Sequence, residues 1–431
     1  MQFIDPFINL EYVRNKNCLG KFLILFLLLI VSPINSFGFT QSARNTTSVD
    51  ELGRAQSSTK EGSGYLPMSD CKMEESELLD SSSNIFRTGI TNLQPKKIIK
   101  AMIFNVDFDD LKSPHLYAPS MSTVTKQISS YFASVSNGHI NFRWVEEKLI
   151  HRMPLSLVNY GTGSRQHSNE SVQIIRDAQK VAFKENSLGG FNYFIVVTPP
   201  AISRSQLSTS LSLLQSESEL INSTILASDF WRSGKSWTIL AHEIGHALGL
   251  LDLYSYQSAE QVNMHPSYYL RQFQYMKYYD LMNWPTGPAP EMSAWSRWEL
   301  GVLNFEQVRC LPNFVTETNL EAIESQNGGI KALFLKMNEF QMLVMENRQA
   351  IGFDRTLPES ARGVIVYLVN LREKSGLGPQ RLMYPIQSKE NSNSTTLHVD
   401  GVQNIGDYKI ECLRYSKFQA RIRVSKALRA E

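Results

Sequence analysis

The sequence predicts an α+β chain, in which a mixed sheet carries a site-bearing helix and a smaller, β-rich, sandwich-like domain follows. Three observations predict it. Dense apolar, β-branched runs alternate with helix-spaced segments from about residue 95 to residue 250. One of the helical segments carries two histidines a turn apart. Beyond residue 306 only short strand-like runs between polar turns remain.

Arg14, Lys16 and Lys21 precede the apolar run FLILFLLLIV, and SPINSFGF then brings a proline and small residues, the three regions of a secretory signal over 1–36. The run is short of the roughly 18–20 residues that span a bilayer, so no membrane span is expected after cleavage. A secreted chain is the expectation, with periplasmic retention or anchoring by an uncleaved leader as alternatives. Residues 37–94, rich in Ser, Thr, Gln and acidic side chains without apolar periodicity, read as a pro-region or linker. At PKKIIKAMIFNVDFDD the composition switches, and a first folded domain is expected over 95–305. It holds a buried strand from Ile98, a helix around Val124 to Val135, the strand INFRWVEE after the turn SNGH, a helix with Ile174, Ala178, Val181 and Ala182 on one face, and the buried strand FNYFIVV. Over 306–431, KALFLKM, QMLVMEN, GVIVYLVN, YKIECLRY and QARIRVSK predict the β-rich domain.

Charge excludes some partners. Lys and Arg (43) balance Asp and Glu (41), so no whole-chain field directs the protein to nucleic acid. Of four cysteines Cys18 would leave with the signal. Cys310 and Cys412 are the expected disulfide in an oxidising compartment, closing a loop of about 100 residues worth at most about 4–5 kcal/mol; the alternative is a pair of buried thiols. N-x-S/T sites stand at Asn45, Asn169, Asn222 and Asn393.

The chemistry sits in SWTILAHEIGHALGLLDLY. Ile239, Leu240, Ile244, Ala247 and Leu248 are at helical spacing, and Ser236 can cap the start. His242 and His246 then share a face one turn apart and can reach one ion, the pairing that serves zinc. Glu243 lies beside the ion without ligating it, placed to take a proton from an activated water and return it to a leaving amine. A catalytic zinc takes three protein ligands and keeps an open position. Gly249 can end the helix in a left-handed conformation and turn the chain back, bringing Asp252 as third ligand; Glu260 or a water are the alternatives. Bare H-E-x-x-H arises by chance in roughly one such chain per hundred, whereas H-E-x-x-H-x-x-G-x-x-D arises on the order of one in 10⁴–10⁵. Further on, YYDLMNWP places Met282 where a methionine turn beneath a metal is expected. Ser293, Trp295 and Trp298 are expected to pack a helix beneath that floor.

With IIKAMIFNVDFDD, ISSYFASVSNGHINFRW, HEIGHALGLLDLY, YYDLMNW, MSAWSRWELGVL and LVMENRQAIGFDRTLPESARGVIVYLV, the chain resembles secreted metallopeptidases of the immune inhibitor A type, a metzincin-like family. The resemblance implies a zinc endopeptidase made as a precursor, acting on protein or peptide substrates, with His242, His246 and Asp252 on zinc and Glu243 as base. The chain departs from the metzincin pattern in carrying Asp252 where many have a histidine, and Trp284 where serralysin- and astacin-like enzymes have a tyrosine. Tyr254, Tyr278 and Tyr279 are candidates for a transition-state tyrosine. Cys71 is a candidate zinc-capping thiolate or else an unpaired or mispaired cysteine, and Asp107, Asp109 and Asp110 offer oxygen ligands for calcium, though a solvated strand end is the favoured reading. Two other functions fit the sequence: a secreted binding or adhesion protein on a protease-like scaffold, and a zinc amidase acting on cell-wall peptides.

Overall fold

A computed structural model describes residues 64–74, 97–113, 118–161, 168–184, 190–199, 211–215, 220–226, 236–256, 272–312, 315–383 and 395–426. All of these fall in one compact unit, Gly62–Glu431. The expected signal, most of the expected pro-region, Asn45, Glu260 and Asn393 lie outside the described residues, as do the side chains of Asn169 and Asn222. Among the described residues no helix is long and apolar enough to cross a membrane. The architecture is mixed α+β, with three sheets and few helices.

The first sheet comprises β1 (Lys97–Asp107), β2 (Ile140–Arg152), β3 (Tyr193–Val197), β4 (Leu211–Gln215) and β5 (Leu220–Leu226), in the order β2-β1-β3-β5-β4. Its pairs are parallel except β4 with β5, which makes β4 an antiparallel edge. β3 is buried at every residue and β1 from Ala101 onward, which is why both read as unbroken apolar runs rather than alternations. The helices are α1 (Ala118–Val135), α2 (Ser168–Lys184) and α3 (Ser236–Ala247). Ile128, Tyr131, Phe132 and Val135 of α1 are buried, and α1 packs against α3.

A second sheet, β11-β10-β9-β8-β6, is formed by β6 (Val308–Cys310), β8 (Ala332–Lys336), β9 (Gln341–Arg348), β10 (Gly363–Asn370) and β11 (Gln380–Leu382). A third, β12-β13-β14-β7, holds β7 (Thr316–Glu321), β12 (Val402–Ile405), β13 (Tyr408–Tyr415) and β14 (Gln419–Lys426). The second sheet is apolar on both faces. Met342, Val344, Ile365 and Tyr367 join the core that holds β1, β3 and α3, whereas Leu343, Met345, Val364 and Val366 meet Ile410, Ile422 and Val424 of the third sheet. One core therefore runs from Cys71 to Leu382, across residue 306. The short α4 (Ala294–Glu299), capped by Ser293, lies against this sheet, with the Trp295 and Trp298 rings each 5.4 Å from Phe334. Those two tryptophans pack as expected.

The cysteines pair differently from expectation. Cys71 and Cys310 form the disulfide, and among the described residues Cys412 is a buried free thiol. The two-faced sheet is the reason. Cys310 faces the larger core, while Cys412 on β13 points into the smaller one on the far side. Leu66 pairs antiparallel with Cys310, bringing Cys71 to it, and the Tyr65 hydroxyl donates to Thr318. Part of the expected pro-region is thus bonded to the β-rich part, and Cys71 is no metal-capping thiolate.

Behind α4 lies a buried charge network. Arg348, fully buried, meets Glu346 at 3.0 Å, Glu324 at 3.2 Å and Asp354, and Arg297 meets Glu291 at 2.6 Å. The Ala294 amide donates to Glu346 and the Glu291 amide to Asp354. The network ties residues 291–297 to β9, and removing one partner of such a set costs about 3–5 kcal/mol because a charge is left buried alone.

Cys71→Ser should lower stability by about 2–5 kcal/mol, since the bridge spans 239 residues of sequence and constrains the unfolded chain strongly. Urea unfolding of Cys71→Ser beside Cys412→Ser checks this. Equal losses from the two, or a Cys310–Cys412 peptide in a non-reducing map, would refute the pairing.

Candidate metal centre

The site starts with the end of α3. Gly249 has φ +99°, and its N–H donates to His246 O at 2.9 Å while the Leu250 N–H reaches back to Gly245 O at 3.0 Å. This is a Schellman ending, which only a residue at ease in the left-handed region closes without strain. It turns the chain so that Asp252 returns to the histidines. Gly249 therefore does what its spacing predicts.

Each imidazole is oriented by a carbonyl. His242 Nδ1 lies 3.2 Å from Leu281 O, and His246 Nδ1 lies 2.9 Å from Leu250 O. A carbonyl only accepts, so each Nδ1 carries the hydrogen and each Nε2 presents a lone pair. The two Nε2 atoms are 3.2 Å apart, and Asp252 Oδ1 stands 3.1 Å from one and 3.2 Å from the other. Asp252 Oδ1 is buried and has no hydrogen-bond partner.

Three acceptors thus converge. Together they make a place that draws positive charge, and the electrostatics reflect that. Burial lowers the proton affinity of His246, but the Asp252 charge overrides it and lifts its pKa to about 9. Burial acts to raise the Asp252 pKa, yet the two histidines hold it well below the carboxylate range. The geometry fits zinc, because neighbouring ligands of a tetrahedral ion with bonds of about 2.0–2.1 Å stand about 3.3 Å apart. Two imidazoles and a carboxylate, with a fourth direction left over, are a catalytic-type donor set. Among the described residues no other group of three or more His, Cys, Asp or Glu side chains lies close enough to share an ion.

Glu243 is 7% exposed and its carboxylate has no hydrogen-bond partner among the described residues, while its charge is felt at His246, Tyr254 and Tyr256. It is a buried carboxylate near enough to His246 to act on it electrostatically.

The floor is the turn at Asp280–Trp284. Asp280 accepts from the Met282 amide at 2.7 Å through one oxygen, and from the Ser293 amide and the Ser296 hydroxyl, both at 2.8 Å, through the other. Met282 O accepts from Leu253 N at 3.1 Å, and the Met282 side chain, fully buried, lies against Gly245. A methyl group at Gly245 would stand 2.5 Å from the Met282 sulfur, so glycine in the middle of HEIGH lets the turn close under the pair.

The other expected residues are dispersed. Tyr279 donates to Ala361 O at 2.9 Å and lies 2.6 Å from Thr395 Oγ1, and the half-buried Tyr278 ring meets it edge to face at 5.0 Å, so both are engaged with partners other than the histidines. Tyr254 stands with its ring 6.1 Å from His242; burial first, and then the Asp252 charge, keep its hydroxyl protonated. Asp107, Asp109 and Asp110 do not form a cation site. Arg152 binds Asp107 through two nitrogens and reaches Asp109, and Asp110 accepts the Leu157 and Val158 amides. Their charges are met by the strand end itself.

Sequence reasoning missed Tyr256 and Ser375. The Tyr256 hydroxyl donates to Asp252 Oδ2, and Ser375 Oγ accepts from the Asp252 amide at 3.0 Å. Tyr256, four residues after Asp252, was within reach of a spacing argument. Ser375, 123 residues from Asp252, carried no local signal.

Protein-family models match no part of the chain, and a search of characterised proteins finds no match. Among solved structures, metalloproteinase-II from Bacteroides fragilis is similar at 13% identity over 49% of this chain and 54% of that chain, with a TM-score of 0.27. This chain spans about half the length of that structure. So loose a superposition carries no argument about fold or chemistry. The geometry of the three donors and of Glu243 is the ground for a functional reading.

Gly245→Ala separates packing from propensity. Helix propensity alone predicts a gain of about 1 kcal/mol. The Met282 contact instead predicts a net loss of about 1–2 kcal/mol by overpacking, since the sulfur has no room to leave. Thermal unfolding decides between them, and a stabilised variant would show that the Met282 side chain does not constrain this position.

Proposed function

We propose that the chain is a secreted zinc-dependent endopeptidase with a metzincin-like catalytic region. One observation carries the reading: a buried carboxylate oxygen without a hydrogen-bond partner completes a triangle of 3.1–3.2 Å with two outward-facing imidazole nitrogens. His242, His246 and Asp252 would hold the ion. Zinc bound there supplies a Lewis acid for the scissile carbonyl and brings a water's pKa toward about 7.

The chain's own residues do the rest. Glu243, buried beside the two histidines, would accept the proton that the attacking water loses and deliver it to the leaving amine nitrogen, so that a peptide bond is exchanged for a carboxylate and an amine. The Leu281 and Leu250 carbonyls hold the imidazoles in the tautomer whose Nε2 is free. The turn at Met282 closes the floor and excludes water from below. β4 is a sheet edge beside α3. Among the described residues no strand pairs with its outer side, and such an edge suits an extended peptide laid as an added strand, which favours a protein or peptide substrate over a small cell-wall amide. An adhesion protein on the same scaffold has no use for a buried carboxylate next to a cation site. Nucleic acid is no partner in this reading, in keeping with the balanced charge.

Glu243→Gln should bind one zinc per chain and lose casein or gelatin hydrolysis by about 10²–10⁴-fold, whereas His246→Ala should lose the zinc itself. Elemental analysis and a chelator-sensitive proteolysis assay read both. Wild-type proteolysis by Glu243→Gln, or a preparation that takes up iron and no zinc, would sink the mechanism.

A further inference from the structure

The loop joining β10 to β11 belongs to the β-rich half of the chain, yet it meets the third ligand. The Gly376 N–H donates to Asp252 O at 3.0 Å, and the Tyr256 N–H donates to Gly376 O at 2.9 Å. Two main-chain bonds thus dock the loop on the segment that carries Asp252. A ring of side-chain bonds completes the contact. The Asp252 amide donates to Ser375 Oγ at 3.0 Å, Ser375 Oγ lies 3.3 Å from the Tyr256 hydroxyl, and that hydroxyl donates to Asp252 Oδ2. The directions are forced. An ionised carboxylate only accepts, so Tyr256 gives its hydrogen to Asp252, and Ser375 must give its own to the tyrosine oxygen. Each hydroxyl donates once and accepts once.

This ring acts on one oxygen of the carboxylate. Oδ2 is occupied by Tyr256, while Oδ1, 3.1 and 3.2 Å from the two Nε2 atoms, keeps its lone pairs. The carboxylate is thereby held for one-oxygen ligation, with rotation about its terminal bond blocked. Gly376 makes the contact geometrically feasible. It has φ +75°, and a methyl group there would overlap the Tyr256 ring carbons. Tyr256 itself is 57% exposed, so its position is not dictated by burial of the ring in a core.

We propose that Tyr256, backed by Ser375 and seated on Gly376, is a positioning residue that sets the denticity and strength of metal binding by Asp252, and that the β-rich half thereby controls the metal site. The proposal rests on the reading of His242, His246 and Asp252 as a zinc site. Outer partners of this kind change metal affinity by about 10–100-fold.

Two variants perturb one contact from opposite sides. Tyr256→Phe keeps the ring and removes the hydroxyl; Gly376→Ala keeps the hydroxyl and displaces the ring. The full chain, stripped of metal, is titrated with zinc against a competing fluorescent chelator, and its cobalt(II) form is examined in the visible, where four-coordinate cobalt absorbs more strongly than five- or six-coordinate cobalt. Both variants should bind zinc about 10–100-fold more weakly and give a weaker cobalt spectrum, with the metal-free Tyr256→Phe protein unfolding at the wild-type temperature. Wild-type affinity and spectrum in both variants, or a lowered unfolding temperature in metal-free Tyr256→Phe with unchanged affinity, would overturn the proposal while leaving the zinc site standing. A wild-type protein that binds no zinc would remove the site reading and the clamp together.

Discussion

Three lone pairs brought within 3.1–3.2 Å of one another in a buried place are the constraint on which the surrounding structure depends. Such a set gathers only around positive charge, either a bound cation or a proton on an imidazole. It must be held. The α3 helix supplies the His242–His246 spacing, the Schellman turn at Gly249 returns Asp252, and three separate carbonyl or hydroxyl groups fix the three side chains from outside. Leu250 O is local to the helix end, but Leu281 O comes from the methionine turn and Tyr256 is seated on a loop from the β-rich half. The arrangement could hold a cation, and its members are fixed from well beyond α3.

The supporting layers follow from the second sheet being apolar on both sides. Its alternate residues serve two cores, so the region that carries the histidines and the third sheet are both packed against it. Asp280 joins the methionine turn to α4, and the Arg348–Glu346–Asp354 network joins the segment around α4 to β9. β9 is thus tied by hydrogen bonds to the segment that follows Met282, and β10 leads directly into the loop that carries Ser375. The β-rich part is mechanically continuous with the metal site, and the Cys71–Cys310 bond extends that continuity to the segment around Tyr65.

Much of the site was legible because it is local. HEIGHALGLLD lies on one helix and its exit turn, so helical pitch and a single left-handed residue suffice to bring His242, His246 and Asp252 together. Buried strands such as IIKAMIFNV and FNYFIVV were legible for a similar reason, since burial on both faces leaves an unbroken apolar run. The disulfide was not. Cys310 and Cys412 lie close in sequence order among the available thiols, but which face of a sheet a cysteine points to depends on register, and one residue of slip moves it to the other core. The acidic run at Asp107 left two readings open for a comparable reason: whether carboxylates gather round an ion or stand at a strand end is decided by Arg152, at the far end of β2, which meets them.

What the sequence by itself determined is the grouping of His242, His246 and Asp252, the carboxylate of Glu243 beside them and the two kinds of secondary structure that carry the chain, because these depend on interactions within a turn or two of helix or along one strand. What only the tertiary structure decided is which cysteines bond and how the β-rich half bears on Asp252. Those rest on contacts between residues more than a hundred positions apart, such as Asp252 with Ser375 and Cys71 with Cys310, whose encounter is set by sheet order and by the side of each sheet a residue faces. Local periodicity carries no record of either.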